Sequence, residues 1–120
     1  FRMERKDYRL KKEKDFNLVF KKGQRLFSHS LSLVYLPAET IKAGFAVSKK
    51  HGGSVKRNRI KRLLRESFRS FTPVLGKNFF FVFIPKVKEE YSLAEFKRDM
   101  GYLFKKGGFS DGKDTGTFER

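Results

Sequence analysis

The densest chemistry in the chain lies in one run, Lys56-Arg57-Asn58-Arg59-Ile60-Lys61-Arg62-Leu63-Leu64-Arg65. On an ideal helical wheel with Arg57 at zero, Lys61, Arg65, Asn58, Arg69 and Arg62 all fall within an arc of about 140°. Ile60, Leu63, Leu64, Phe68 and Phe71 occupy a separate arc, from roughly 240° to 20°. The run therefore predicts a helix with one apolar face and, beside it, a stripe of five cations and an amide. Such a stripe is unfavourable in isolation. Arg57, Lys61 and Arg65 repel at i, i+4 spacing, and Lys56, Arg57 and Arg59 crowd the first turn, where the helix dipole disfavours cations. A polyanion reverses both signs. Arginine and Asn58 can hydrogen-bond phosphates, sugars and base edges, whereas lysine acts mainly as a point charge. The first-turn amides beside Gly52-Gly53 add anion acceptance.

Other residue types offer little chemistry. There is no cysteine, so no disulfide, thiolate nucleophile or Cys-based zinc site exists. His29 and His51 stand far apart, and Ser48 and Ser54 have no visible base and orienting partner. The acids form no spaced metal-binding cluster, and Gly52-Gly53 lacks the phosphate-loop pattern. The expectation is no catalytic residue and no metal site on the protein. Phe16 and Phe20 form a second candidate feature. With Val19 they fall at i, i+3 and i+4 next to a basic run, a pattern that serves either a buried core or stacking on unpaired bases.

The elements that must position these residues can be read from periodicity and breakers. A first helix is predicted over about 13–22, stopped by Gly23. From Phe27 to Leu36 the pattern alternates, with Leu31, Leu33 and Tyr35 on one side and Ser32, Val34 and Leu36 on the other. This stretch is open to being split or joined by another strand. Pro37 to Thr40 reads as a turn, and Ala43 to Ser48 as a strand with Phe45 and Val47 on one face. The basic helix runs from about Ser54 to Phe71 and ends at Thr72-Pro73. Phe79 to Ile84 is continuously apolar, as a strand buried on both faces would be. Ser92 and Glu95 form a capping box for a third helix, which Gly107-Gly108 stop. The strand–helix–strand unit implies a parallel pair. The predicted class is α+β: a small two-layer sandwich, with a mixed sheet of about four strands and helices on one face. Residues 1–106 read as one RNA-binding domain and 107–120, rich in Gly, Asp, Ser and Thr, as a disordered tail.

The chain has 120 residues, 29 of them Lys or Arg against 13 Asp or Glu, for a net charge of +16. Residues 1–25 carry +6 and 49–69 carry +8, while the predicted strands at 26–48 carry none. Charge concentrated in this way points to a polyanion partner. The 15 phenylalanines exclude disorder for the body of the chain. No apolar run is long enough to span a membrane, and the basic first 25 residues hold no signal-peptide core. A cytoplasmic location without membrane contact is expected. A strand and a glycine loop precede the basic helix, which disfavours a helix-turn-helix reader of DNA; RNA is the expected polyanion.

The run Lys56 to Arg65 resembles the signature helix, the RNR motif, of the bacterial ribonuclease P protein component family. Gly44-Phe45-Ala46-Val47-Ser48-Lys49-Lys50 resembles the family's strand leading into that helix. Arg9-Leu10-Lys11-Lys12, Asp15-Phe16, Val19-Phe20-Lys21 and Gly23 resemble its N-terminal element. The likeness runs from about Arg9 to Phe104.

The resemblance implies an α+β sandwich with a left-handed βαβ crossover, an exception to the usual right-handed rule. It implies a partner RNA that is itself the ribozyme, cutting the 5′ leader from precursor tRNA with Mg²⁺ held mainly by RNA. The protein would be the non-catalytic subunit of this endoribonuclease, monomeric within the complex. Lys56, Arg57, Asn58, Lys61, Arg62, Arg65 and Arg69 would face the catalytic RNA. Lys12, Phe16, Phe20, Ser48 and Lys49 would line a cleft for the single-stranded leader. The facing strand would add Val34 or Tyr35, depending on register, since alternation lets only one of them face the cleft. Two other functions compete. A structural binder of ribosomal or other RNA would share the charge logic without any role in cleavage. A stand-alone nuclease would need the carboxylate cluster that the sequence lacks.

Overall fold

The computed structural model describes residues 8–109. The expected disordered tail therefore lies, from residue 110 on, outside the described residues. The chain runs α1 (Glu13–Lys22), β1 (Gln24–Phe27), β2 (Leu31–Pro37), β3 (Lys42–Phe45), α2 (Ser54–Phe71), β4 (Phe79–Pro85) and α3 (Leu93–Gly107). Short 3-10 turns at Lys49–His51 and Thr72–Val74 flank α2. Both basic helix and first helix form over the ranges their periodicity predicts. Glu13 and Asp15 in the first turn of α1, with Lys21 and Lys22 in its last, complement its dipole.

The four strands form one mixed sheet in the order β1-β2-β4-β3. β4 pairs antiparallel with β2 and parallel with β3, so α2 is the crossover joining a parallel pair. The segment before α1 adds a further parallel contact at β3: Ala43 N donates to Tyr8 O, and Leu10 N to Ala43 O. β1 supplies the extra strand the alternating stretch left room for. Two of its four residues, Leu26 and Phe27, are apolar, all but Leu26 are exposed, and it is defined by pairing Gln24–Phe27 against Tyr35–Ser32.

β4 sits inside the sheet, and Phe81, Val82 and Phe83 are wholly buried. Phe81 and Phe83 face a core built with Leu31 and Leu33 of β2, Ile60, Leu64 and Phe68 of α2, and Phe96, Met100 and Phe104 of α3. Val82 faces the other way, with Val34, Val19 and Leu10. The sheet thus carries helices on both faces: α2 and α3 share one, and α1 covers part of the other. This corrects the expectation of helices on one face. The physical reason is the two-sided apolarity of β2 and β4, which would leave Val34 and Val82 in water if α1 lay elsewhere.

Phe109 is a second correction. Assigned by composition to the tail, it is buried to 2% exposure. Its ring packs edge-on against Phe79, Phe81 and Tyr35 at centroid distances of 4.8, 5.1 and 4.9 Å. Its amide donates to Phe104 O at 3.0 Å, and its carbonyl accepts from Gly76 N at 3.0 Å. The folded unit therefore extends past residue 106.

The Ser92–Glu95 capping box forms by half. Ser92 Oγ accepts from Glu95 N, but the Glu95 carboxylate turns to Lys88 Nζ at 2.7 Å. On the same helix Asp99 is buried and accepts from Ser30 N at 3.0 Å, from Ser30 Oγ, and from Arg98 Nε at 3.2 Å. Burial alone would raise its pKa; the bonds from Ser30 and Arg98 outweigh burial and hold the carboxyl below its ordinary value. A depressed folded pKa stabilises the fold above the unfolded value near 3.9 and withdraws that stability as pH falls through the folded value. Asp99→Ala is expected to cost about 1–3 kcal/mol at neutral pH, with a shallower loss of stability on acidification than the parent; urea titrations across pH 3–7 measure both.

Candidate nucleic-acid interface

α2 turns Ile60, Leu64, Phe68 and Phe71 into the core. Ser67 is buried with them, a position the apolar pattern did not flag. The opposite side carries Asn58, Arg62 and Arg69 exposed to solvent, with Arg57, Lys61 and Arg65 half-buried at its border. Among the described residues, none of these cations has a carboxylate within ion-pair distance. Arg65 and Arg69 border a small cavity shared with Tyr8, Arg9 and Phe45, which brings the N-terminal basic segment alongside the α2 stripe. Arg57 Nη1 donates to Gly52 O at 3.1 Å, anchoring the stripe's start to the preceding loop.

Lys56 departs from this group. Its ammonium donates to Lys88 O at 3.2 Å and lies 5.6 Å over the Tyr91 ring. It also shares a cavity with Arg59, Glu89 and Glu90. Near 260° on the wheel it belongs to the apolar side, so its ammonium faces the α3 side of the molecule rather than the stripe.

On the other face of the sheet α1 forms one wall of an open cleft. Phe20, at 36% exposure, lines a cavity of about 400 Å³ with Ala46, Val47, Ser48, Lys50, His51, Ile84, Pro85 and Val87. The aromatic wall, the apolar floor and the cationic rim at Lys50 make a surface fit for an unpaired base and its phosphate. Ser48, exposed beyond the end of β3, lines this cleft, whereas Lys49, exposed in the following turn, and Lys12, exposed at the N-cap of α1, are not among its lining residues. Phe16 has a different role from Phe20. It is half-buried, packed against the small core of Leu10, Val19, Val34 and Val82. A Cβ placed on Gly44 would lie 2.3 Å from Phe16 Cζ, so the ring rests directly on the β3 backbone.

The register decides between Val34 and Tyr35. Val34 faces α1 but is wholly buried beneath it, so it offers no stacking surface. Tyr35 faces the opposite core, where it meets Phe79 and Phe109 and donates its hydroxyl to Gln24 Oε1. Both are therefore removed from the cleft lining. In their place the structure brings Lys50, Ile84, Pro85 and the 57%-exposed Val87. Strand alternation gives the signal for Ile84, which shares a face with Val82; Val87 follows the strand and had none.

The family model for Ribonuclease P matches residues 3–108. The chain belongs to the ribonuclease P protein family. Relatives in this family include the ribonuclease P protein component of an Exiguobacterium strain, 33% identical over 104 residues, covering 85% of this chain and 91% of that protein. That of Finegoldia magna is 40% identical over 86 residues, covering 71% and 76%. Among solved structures, the RNase P protein of Staphylococcus aureus superposes with a TM-score of 0.77 at 25% identity, covering 88% of this chain and 99% of that one. The RNase P protein of Thermotoga maritima gives 0.73 at 30% identity, covering 82% and 96%. The mixed four-stranded sheet with helices matches the fold of these solved proteins, and family members are the protein subunit of an endoribonuclease that processes tRNA.

The Phe16–Gly44 contact makes a direct test of how α1 is seated. Gly44→Ala is expected to cost about 1–3 kcal/mol by overpacking. Phe16→Leu in the same chain should return part of that loss, because the shorter side chain vacates the space the new methyl needs. Denaturant unfolding of the two variants and their combination checks this, and strictly additive losses would contradict the contact.

Proposed function

We propose that this chain serves ribonuclease P as a two-faced adaptor, with α2 held against the catalytic RNA and the cleft beside α1 holding the 5′ leader of precursor tRNA. The observation that carries the reading is the separation of the two surfaces by the sheet. Arg57, Asn58, Lys61, Arg62, Arg65 and Arg69 lie along α2, while Phe20, Ser48 and Lys50 line a cleft whose neighbour α1 packs on the opposite sheet face. The proteins it resembles are named ribonuclease P protein components, which favours this over a structural RNA binder or a stand-alone nuclease.

The physical contribution is binding and charge neutralisation. Two RNAs repel one another; a cationic protein between them lowers that repulsion and releases condensed counterions. Gly53 at the N-cap leaves the first-turn amides of α2 without a side-chain partner, so they can donate to a phosphate beside Arg57. Each leader base stacked on Phe20 would add about 1–3 kcal/mol. Phe16, resting on Gly44, fixes the angle at which α1 presents Phe20. Mg²⁺ held mainly by the RNA would activate the water that hydrolyses the phosphodiester. Among the described residues no three His, Asp or Glu side chains converge to hold a metal, and the protein's part is to bind and orient. It would act as one copy per complex, in the cytoplasm where precursor tRNA is processed. No helix among the described residues is long and apolar enough to cross a membrane.

Two substitutions separate the surfaces. Arg65→Ala should weaken association with the catalytic RNA and lower the slope of log affinity against log salt by about 1. Phe20→Ala should reduce affinity of the assembled enzyme for leader-bearing precursor tRNA by roughly 5- to 100-fold while sparing mature tRNA. Filter-binding titrations at several salt concentrations measure both. Equal loss for precursor and mature tRNA on Phe20→Ala would refute the leader assignment.

A further inference from the structure

The β3–β4 ladder stops short of the cleft it supports. Its last rung is Ala46 N donating to Phe83 O at 2.9 Å. Beyond Ala46 the chain turns through Ser48 and the Lys49–His51 turn toward α2, while β4 continues to Pro85. Both departing segments line the cleft, Ser48 from one side and Pro85 from the other. What holds them together is a buried side chain. His51, 5% exposed, places Nε2 2.7 Å from Pro85 O and Nδ1 3.0 Å from Ser48 N. A carbonyl can only accept, so Nε2 carries the proton and Nδ1 accepts from the Ser48 amide. The ring bridges the two backbone segments, one nitrogen at Pro85 and the other at Ser48, where it also lies 3.3 Å from the Ser48 carbonyl.

The same turn leads straight into the basic helix. Gly52 follows His51 with φ 132°, a region that side chains rarely adopt. Its carbonyl accepts from Arg57 Nη1, the first arginine of the stripe. Ser48, His51, Pro85, Gly52 and Arg57 therefore form one hydrogen-bonded connection from the cleft floor to the helix proposed to face the catalytic RNA.

We propose that His51 is a positioning residue for the leader, its imidazole standing in for the missing ladder rung and fixing the width of the cleft between the exit of β3 and the end of β4. This rests on the reading of the cleft as the leader site. His51 does not touch the reacting phosphate. It acts through Ser48 and Pro85, so its loss should appear in leader binding rather than in the chemical step.

The test uses the assembled enzyme, with catalytic RNA and precursor tRNA. His51→Val removes both bridging bonds and is expected to raise KM for leader-bearing precursor tRNA about 5- to 10-fold, the worth of roughly one to one and a half net hydrogen bonds. kcat and the affinity for mature tRNA should stay at parental values. Two conservative variants keep the test usable if His51→Val does not fold. His51→Gln places an amide donor near the Nε2 position for the Pro85 carbonyl but loses the Ser48 bond, and with one of the two bonds left should raise KM about 2- to 3-fold. His51→Asn keeps an acceptor near the Nδ1 position for the Ser48 amide but loses the Pro85 bond, and should likewise raise KM about 2- to 3-fold, between the parent and His51→Val. Parental KM in His51→Val, or in both His51→Gln and His51→Asn, would overturn the assignment. Phe20→Ala, measured alongside, tells the two failures apart. If it raises KM while the His51 variants do not, His51 alone is misassigned; if it also leaves KM unchanged, the leader reading fails and the role of His51 with it.

Discussion

The constraint on which this structure depends is the two-sided burial of β4. Phe81 and Phe83 project into the large core while Val82 projects into the small one, and all three are wholly buried. A strand of this kind is stable only when both of its faces are covered, since each exposed side chain of this size would forgo about 1.5–3 kcal/mol of burial. α2 and α3 supply one cover and α1 with Leu10 supplies the other. The basic residues are attached to those covering helices, so burying β4 distributes the charge to separate surfaces. Fold and function are joined at this point: the sheet is the spacer between the cations of α2 and the aromatic cleft beside α1.

The charge is arranged for an external partner. The salt bridges among the described residues gather around α3, where Lys88 and Arg98 meet Glu95 and Asp99. α2 has Glu66 as its one acid, and its stripe cations find no carboxylate within the described fold. Cations left unpaired on one rigid helix keep their pairing capacity for a ligand, and the helix's own packing has already fixed their spacing. The N-terminal segment joins this surface through Arg9, which shares a cavity with Arg65 and Arg69. Arg9 of the first basic segment thus meets Arg65 and Arg69 of the second beside β3.

Much of this was legible before the structure. The limits of α1 and α2, the apolar strand at Phe79 and the alternation of Leu31, Leu33 and Tyr35 against Val34 and Leu36 all follow from side-chain period, because burial demands that period. Lys56, which the resemblance places among the RNA-facing residues, lies on the apolar side of the wheel and turns toward Lys88 and Tyr91 instead. What escaped was set by long-range pairing. β1 is short and mostly exposed and exists because β2 offers it an edge. Phe109 is one apolar residue in a polar segment, and only the gap beside Phe79, Phe81 and Tyr35 draws it inside. Val34 could not be separated from Tyr35 without the register, and His51 carries no periodic signal because its role is to join two backbone segments remote in sequence.

The central claim is that the protein assists RNA-borne chemistry by binding two RNAs at once. It is tested most directly by cleavage of a precursor tRNA at low Mg²⁺ in three mixtures: the protein alone, a cognate catalytic RNA alone, and the two together. The account predicts no cleavage by the protein, weak cleavage by the RNA, and strong leader-dependent stimulation when both are present. Cleavage by the protein alone, or an RNA whose activity the protein leaves unchanged, would contradict it.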